Sequence, residues 1–442
     1  MNKQQLGVAE IGALAPVRRV QVLVVGGGVT GVCAAVAASR SGCEVLLVER
    51  TARLGGNFTL GLIGTFCGFY ARKENGGLKQ CVGGLADQVL RRLDALGETG
   101  RQQIMEQTMV SYHAPDLEYV LDNMVVESGV RVLFHQHAFG VEMGGEKISR
   151  VLFAGKGGVC AVEADMVIDA TGDGDIAAKA GVPALQDGGS VQFPSTTFHI
   201  SGIDLAKAAG VTKMDLRALA EKAVASGKHH LVRTDGTMVP MPHSGEVRCN
   251  IGRLKIDDRP IDPLNIDEVS WAELEGRRQA YTYLNFIRDC VPGYEKAYIV
   301  RMAAGAGIRE SRRLQGLYVV TEEDVVSARK FEDGILCSTW PIEQHKEGTT
   351  TRWVLLPEDD WCQVPMRSLI PQRVSNLFFA GRSLSAEQAA QAAVRAGAPC
   401  MCMGEAVGVA AGHCLSRSVS VQQTENATVI KELRARGAFL PT

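Results

Sequence analysis

Val22-Leu23-Val24-Val25 is an unbroken apolar run that ends on Gly26-Gly27-Gly28-Val29-Thr30-Gly31. A short apolar run bounded by glycine predicts a buried strand entering a tight turn. Small residues recur at Ala34, Ala35, Ala37 and Ala38, which predicts a helix from about Val29 to Ser41 lying close on a sheet, with Gly42 ending it. Glu44 to Val48 predicts a second strand, closed by Glu49. Strand, glycine turn, helix and strand in that order make a βαβ unit.

Further along, helices are predicted near Gly84 to Leu96 and Pro115 to Ser128. Strand-like runs follow at Arg131 to Phe134, Ile148 to Phe153, Val159 to Glu163 and Met166 to Ala170. Gly144-Gly145 and Gly157-Gly158 stand at hairpin positions between them. The last run enters a second glycine turn crowded with carboxylates, Asp169-Ala170-Thr171-Gly172-Asp173-Gly174-Asp175. From about Val191 to Leu356 the pattern changes to longer polar helices, such as Asp267 to Asp289, alternating with short strands. A parallel-type strand returns at Asn376 to Ala380, before another small-residue helix. The expected class is α/β: a discontinuous Rossmann-like nucleotide domain, residues 17–190 and 362–420, with an inserted α+β substrate domain, 191–361. Residues 1–16 are expected to be a mobile leader and 421–442 a C-terminal tail.

Gly26, Gly28 and Gly31 form G-x-G-x-x-G. The first glycine serves a tight turn, the second a close backbone approach to a pyrophosphate, and the third close packing of helix on strand. The helix start offers free N–H groups and a positive dipole end to phosphate. Glu49, 21 residues after Gly28, suits a ribose diol and disfavours a 2′-phosphate. The fingerprint itself leaves FAD and NAD both open.

Composition narrows the partners. With 442 residues, 46% hydrophobic and 22% charged, the chain has an ordinary globular make-up. A net charge of −2 gives nucleic acid no electrostatic support, and no apolar run approaches membrane-span length. The N-terminus lacks the order of a secretory signal, so a cytoplasmic protein is the expectation. Twelve cysteines contain no C-x-x-C pair, which points to reduced thiols, no metal centre and no dithiol relay.

Five segments together resemble the FAD-dependent oxidoreductases whose fold is shared by glutathione reductase and the fumarate reductase flavoproteins. They are Gly26 to Glu49; Leu54-Gly55-Gly56; Val167 to Asp175; Gly307-Ile308-Arg309-Glu310-Ser311-Arg312-Arg313; and Asn376 to Ala411. The resemblance implies FAD. By residue, it implies cofactor contacts at Gly26, Gly28, Val29, Thr30, Gly31, Glu49, Arg50, Gly55, Gly56, Asp169, Ala170, Thr171, Gly172 and Asp173. It extends them to Gly381 and Arg382, which stand where many such proteins carry Gly-Asp, and to Ala398, Pro399 and Cys400. Pro399 marks an expected helix start without a capping side chain, aimed at the pyrimidine edge of the flavin. Gly404, Gly408 and Gly412 form a stripe that suits close helix packing.

For chemistry, Arg309 and Arg312 are read as one helical turn apart, able to clamp an anion unless Glu310 pairs with an arginine. His345, in a Pro-Ile-x-x-His context, is the candidate proton carrier. Arg367 lies where the chain re-enters the nucleotide domain, and Arg395 sits in a run of Ala and Gly ahead of the flavin-facing helix. His199 is a weaker candidate for the substrate wall. The expected activity is hydride removal from a small organic substrate, with an anionic one suggested by the arginine set, and with electrons passed to oxygen, a quinone or a protein. The alternatives are a flavin monooxygenase and an electron-carrying flavoprotein subunit without its own substrate. A homo-oligomer stays open.

Overall fold

The computed structural model describes residues 15–441 except 74–76, 98, 105, 186–190, 243–244 and 346–350. Most of the expected leader therefore lies outside the described residues; its end, Ala15, packs on Leu152 and Ala161.

The apolar run after Pro16 becomes the strand Val17–Val25, which pairs in parallel with Val45–Val48 on one side and Gly158–Asp169 on the other. Arg131–Leu133 extends the sheet beyond Val45–Val48, also in parallel. The far edge of Gly158–Asp169 is shared. Leu377–Phe379 joins its C-terminal end in parallel, while Lys147–Gly155 and His137–Gly144 continue antiparallel from its N-terminal end. The two strands expected at 159–163 and 166–170 are thus one strand of 12 residues. Its polar members do not break it: Glu163 pairs with Arg19 and Arg150, and Asp165 points to solvent.

One face of this sheet is covered by the helices Val29–Arg40, Gly84–Ala95, Ala114–Glu127 and Gly397–Arg417. The closest pairing is between Val29–Arg40 and Gly397–Arg417, and the glycine stripe is the reason. A Cβ at Gly404 would lie 2.1 Å from the Thr30 carbonyl oxygen, and one at Gly408 2.4 Å from that of Ala34. The same core takes in Val320, Ile335, Ile342 and Cys362, and, from the expected tail, Val421, Val429, Ile430 and Leu433.

The helix Gly397–Arg417 also carries Glu405 into this core, where its Oε2 accepts the Leu85 N–H at 2.8 Å and caps a helix whose own N-cap is glycine. Burial raises its carboxyl to about 7. Between about pH 4.5 and 7 the folded chain holds a proton that the unfolded chain releases, so this contribution is full at low pH and is lost as pH rises through that window. Glu405→Gln is expected to match the wild type near pH 4.5 and to exceed its stability by roughly 2–3 kcal/mol at pH 8. Denaturant midpoints at the two pH values check this; parallel pH profiles would contradict it.

The inserted sheet is antiparallel, in the order Thr237–Pro240, Val247–Asn250, Phe198–Ser201, Tyr298–Met302. Phe198, Ile200, Val247 and Cys249 face the helices Lys213–Ala225 and Ile266–Cys290. Strand alternation sends His199, Arg248 and Asn250 to the opposite face, toward the nucleotide domain. There Arg248 donates to the carbonyl of Ile63 and to Thr65 Oγ1.

Candidate functional site

The fingerprint turn is shaped by contacts that only glycine permits. Gly26 has φ +103°, and a Cβ there would stand 2.3 Å from the Ala170 carbonyl oxygen. At Gly31 a Cβ would stand 1.8 Å from the Gly26 oxygen. Gly28 is different: a Cβ would meet no atom within 4 Å, so its open side is a cradle left for a ligand. Gly28 is the N-cap of Val29–Arg40, with no capping side chain. The Gly55 N–H donates to the Gly27 carbonyl at 2.8 Å, which brings Gly55 and Gly56 against the first turn. Glu49 is buried, accepting the Gly27 N–H at 2.6 Å and both donors of Thr51 at 2.8 Å, while Arg50 is exposed.

The second glycine turn lies beside the first. Asp169 is spent on its own turn, accepting from Thr171 and from the Ile176 and Ala177 N–H groups. Thr171 in turn accepts the Asp175 N–H. Arg382 reaches across Gly172 to Asp173 Oδ1 at 3.0 Å and to the Ile308 carbonyl. Gly381 abuts Thr30.

The helix Gly397–Arg417, expected from sequence to face the flavin, starts two residues before the expected Pro399, with Ala396 as N-cap and no capping side chain. Ala398 N–H already donates to the Cys67 carbonyl at 3.2 Å, and Pro399 has none. Fewer donors are open here than the sequence suggests. Cys400 is buried, its thiol pushed up to about 11 by burial.

The arginine motif is not helical, and its members part company. Arg312 goes to Asp175 at 2.9 Å and to the Asp173 carbonyl; Arg313 pairs with the buried Glu310. The expected Arg309–Arg312 clamp is therefore not formed. Arg367 lies apart, in a bidentate pair with Asp333 at 2.8 and 3.1 Å over the Tyr318 ring. Arg309 turns inward, donating to the Phe193 carbonyl at 2.7 Å and to Ser195 Oγ at 3.0 Å.

Arg309, Arg395 and His345 do come together, around two glutamines that sequence reading passed over. Gln192 Oε1 accepts from Arg395 Nη2 at 3.2 Å and from the His345 N–H at 3.4 Å, and Gln192 Nε2 donates to Gln391 Oε1. Gln391 Nε2 bonds the carbonyls of Arg309 and Arg382. His345 Nε2 is 3.4 Å from Glu343 Oε1, while Trp340 donates to Oε2 of the same carboxylate. Burial, then the Arg309 charge, pull His345 down to about 3 despite Glu343, so it is neutral near pH 7. Burial together with the charge of Arg395 lowers Arg309 to about 9, and burial also lowers Arg395 and Arg248. Desolvation would raise Glu343, but hydrogen bonds from His345 and Trp340 and the Arg395 charge hold it at about 2. Among the described residues, none of Arg248, Arg309 and Arg395 touches a carboxylate, and Glu343 is the acid whose field they share.

The sequence profile of the FAD dependent oxidoreductases matches residues 21–436. The chain belongs to the FAD dependent oxidoreductase family. Its cofactor is FAD, which the open Gly28 cradle, the uncapped helix start and buried Glu49 fit at the adenosine end. No curated protein matches the chain. Among solved structures, a geranylgeranyl bacteriochlorophyll reductase-like protein of Thermoplasma acidophilum is 14% identical over 95% of this chain and 84% of that one, with a TM-score of 0.50. An anhydrotetracycline hydroxylase of Streptomyces rimosus is 12% identical over 95% and 69%, at 0.47. A flavoprotein/dehydrogenase of Cytophaga hutchinsonii is 13% identical over 94% and 84%, also at 0.47. At such identities the likeness is one of fold. Among the described residues no helix is long and apolar enough to cross a membrane, and no group of acids, histidines and cysteines is arranged to hold a metal.

Proposed function

We propose that this FAD-dependent oxidoreductase is a dehydrogenase or oxidase for a small anionic substrate. The observation that carries the reading is the set of Arg309, Arg395 and Arg248, the first two half-buried and the last buried, none touching a carboxylate among the described residues and all in the field of one acid, Glu343. Buried guanidinium groups without a contacting anion cost several kcal/mol and persist where an anion is to be bound. Bound FAD accepts two electrons as a hydride equivalent. Arg309 and Arg248 hold the substrate's negative charge, and Arg395, directed by Gln192, stabilises the charge that develops as the flavin is reduced. His345, kept neutral with Nε2 turned to Glu343, has Nδ1 as its proton-accepting nitrogen, met by Thr351 Oγ1 at 3.2 Å, and its basicity rises when an anion offsets the Arg309 charge. The glutathione reductase and fumarate reductase flavoprotein arrangement is part of this reading, supported by the helix start at Ala396 beside the glycine loop of Cys67. So is a cytoplasmic location, supported by twelve free cysteines.

The test is anaerobic mixing of the FAD-loaded protein with small carboxylic acids, neutral alcohols, amines and NADH, following flavin bleaching. Acids are expected to bleach it fastest. Bleaching by NADH and by none of the organic substrates would overturn the reading in favour of a monooxygenase.

A further inference from the structure

Arg248 and His199 are cross-strand partners in the inserted sheet, part of a row Val239, Arg248, His199, Arg301 that runs straight across it. Partners in register have Cβ atoms about 5 Å apart and share a face. Both side chains are buried, 5% and 1% exposed, on the face turned to the nucleotide domain. His199 Nδ1 is fixed by Glu246 Oε1 at 2.5 Å, leaving Nε2 buried with no hydrogen-bond partner among the described residues. Arg248 bonds Ile63 and Thr65 through Nη1, and its Nε is likewise buried without a partner among them. Native proteins satisfy nearly all such groups, so two orphans on one face mark a place for a polar ligand.

The position ties this place to the flavin site. The Cys67 thiol feels Glu343, Arg248 and Arg395 together, and the Cys67 carbonyl receives the Ala398 N–H at the start of Gly397–Arg417. Arg248 thus bears, from the inserted domain, on the same Cys67 segment that Arg395 and Glu343 act on.

We propose that Arg248 and His199 form the substrate subsite for a small carboxylic acid bearing a hydroxyl beside its carboxylate. Arg248 binds the carboxylate, and His199 Nε2 binds the hydroxyl, with Glu246 as the positioning residue that orients the ring. This deepens the anionic-substrate reading and rests on it.

FAD-loaded protein is titrated anaerobically with acetate and with glycolate by calorimetry. The wild type is expected to bind both and to prefer glycolate. Arg248→Met is expected to weaken both by about tenfold to a hundredfold. His199→Asn keeps a donor for Glu246 but cannot reach the hydroxyl, so it should bind acetate as before and lose the preference for glycolate. No binding to the wild type, unchanged affinities in Arg248→Met, or an intact preference in His199→Asn would each overturn the subsite. If Arg248→Met fails to hold FAD, His199→Asn alone decides. An acid that bleaches the flavin of Arg248→Met with unchanged KM removes the subsite and leaves the dehydrogenase reading. The expected binding pattern with no acid able to bleach the flavin removes that reading and leaves the subsite.

Discussion

Gly28→Ala is expected to fold and fail to hold FAD, whereas Gly31→Ala is expected not to fold. The two glycines are three residues apart in one motif, yet their surroundings are opposite. A Cβ on Gly31 would sit 1.8 Å from the Gly26 carbonyl oxygen and 3.2 Å from Ala170 Cβ. Backbone that is locked between a strand and a helix cannot yield by that much, so a loss of more than about 4 kcal/mol is expected, at the upper end for a point change. At Gly28 φ is −63°, a value alanine adopts freely, and the added methyl group meets no protein atom within 4 Å. Its cost to the apo chain is at most about 1 kcal/mol, from the poorer N-cap. The methyl group instead fills the space through which a pyrophosphate approaches the helix start, and FAD affinity should fall by roughly a hundredfold or more. Denaturant midpoints of the apo proteins and FAD bound per chain separate the two effects. If Gly28→Ala purifies with a full complement of FAD, the cradle is not where the structure puts it.

The contrast also shows which parts of the site can be read from sequence. The fingerprint was legible because its contacts are local: strand, turn and helix are contiguous, and Glu49 returns to Gly27 through one neighbouring strand. Strands Thr99–Ile104, Gln107–Tyr112 and His137–Gly144 were not foreseen, since their residues are mixed in polarity and two of the three lie at sheet edges. The arginines were the hardest. Arg309, Arg312, Arg367 and Arg395 look alike as letters, and what separates them lies far away in the chain. Arg312 meets Asp175 and Arg367 meets Asp333, whereas Arg309 and Arg395 meet only neutral acceptors among the described residues. Arg248 escaped notice although Val247-Arg248-Cys249-Asn250 alternates visibly. Alternation says that Arg248 and Cys249 take opposite faces, but only the register with His199 and the contact with Ile63 say which face meets the flavin domain. Glu343 had a weaker signal, two residues before His345 along the same extended segment.

Arg395→Met is expected to leave the apo chain as stable as the wild type, or up to about 3 kcal/mol more stable, while slowing flavin reduction about a hundredfold. Among the described residues the wild-type guanidinium has one hydrogen-bond partner, Gln192 Oε1, and its Nε is buried without any. Burial lowers its affinity for a proton by more than the fields of Glu343 and Glu310 restore, and the nearby Arg382 adds a smaller repulsion. Methionine keeps most of the volume, loses a single bond to a neutral oxygen, and takes a desolvated charge out of a crowded positive cluster. Glu343 keeps its hydrogen bonds from His345 and Trp340 and the fields of Arg248 and Arg309, so no new unpaired charge is created. What is lost is a cation just ahead of the N-cap of Gly397–Arg417, the helix proposed to face the flavin, where negative charge would grow as the substrate is oxidised. Loss of such a group acts on the transition state more than on binding, so the drop should fall mainly on the limiting rate of anaerobic bleaching, with a smaller change in half-saturation. Arg395→Lys, which restores a charge without the planar fork, should recover part of the rate and forfeit the added stability. A destabilised Arg395→Met that bleaches at the wild-type rate would assign the residue to the scaffold and leave Arg309 and Arg248 to carry the anion.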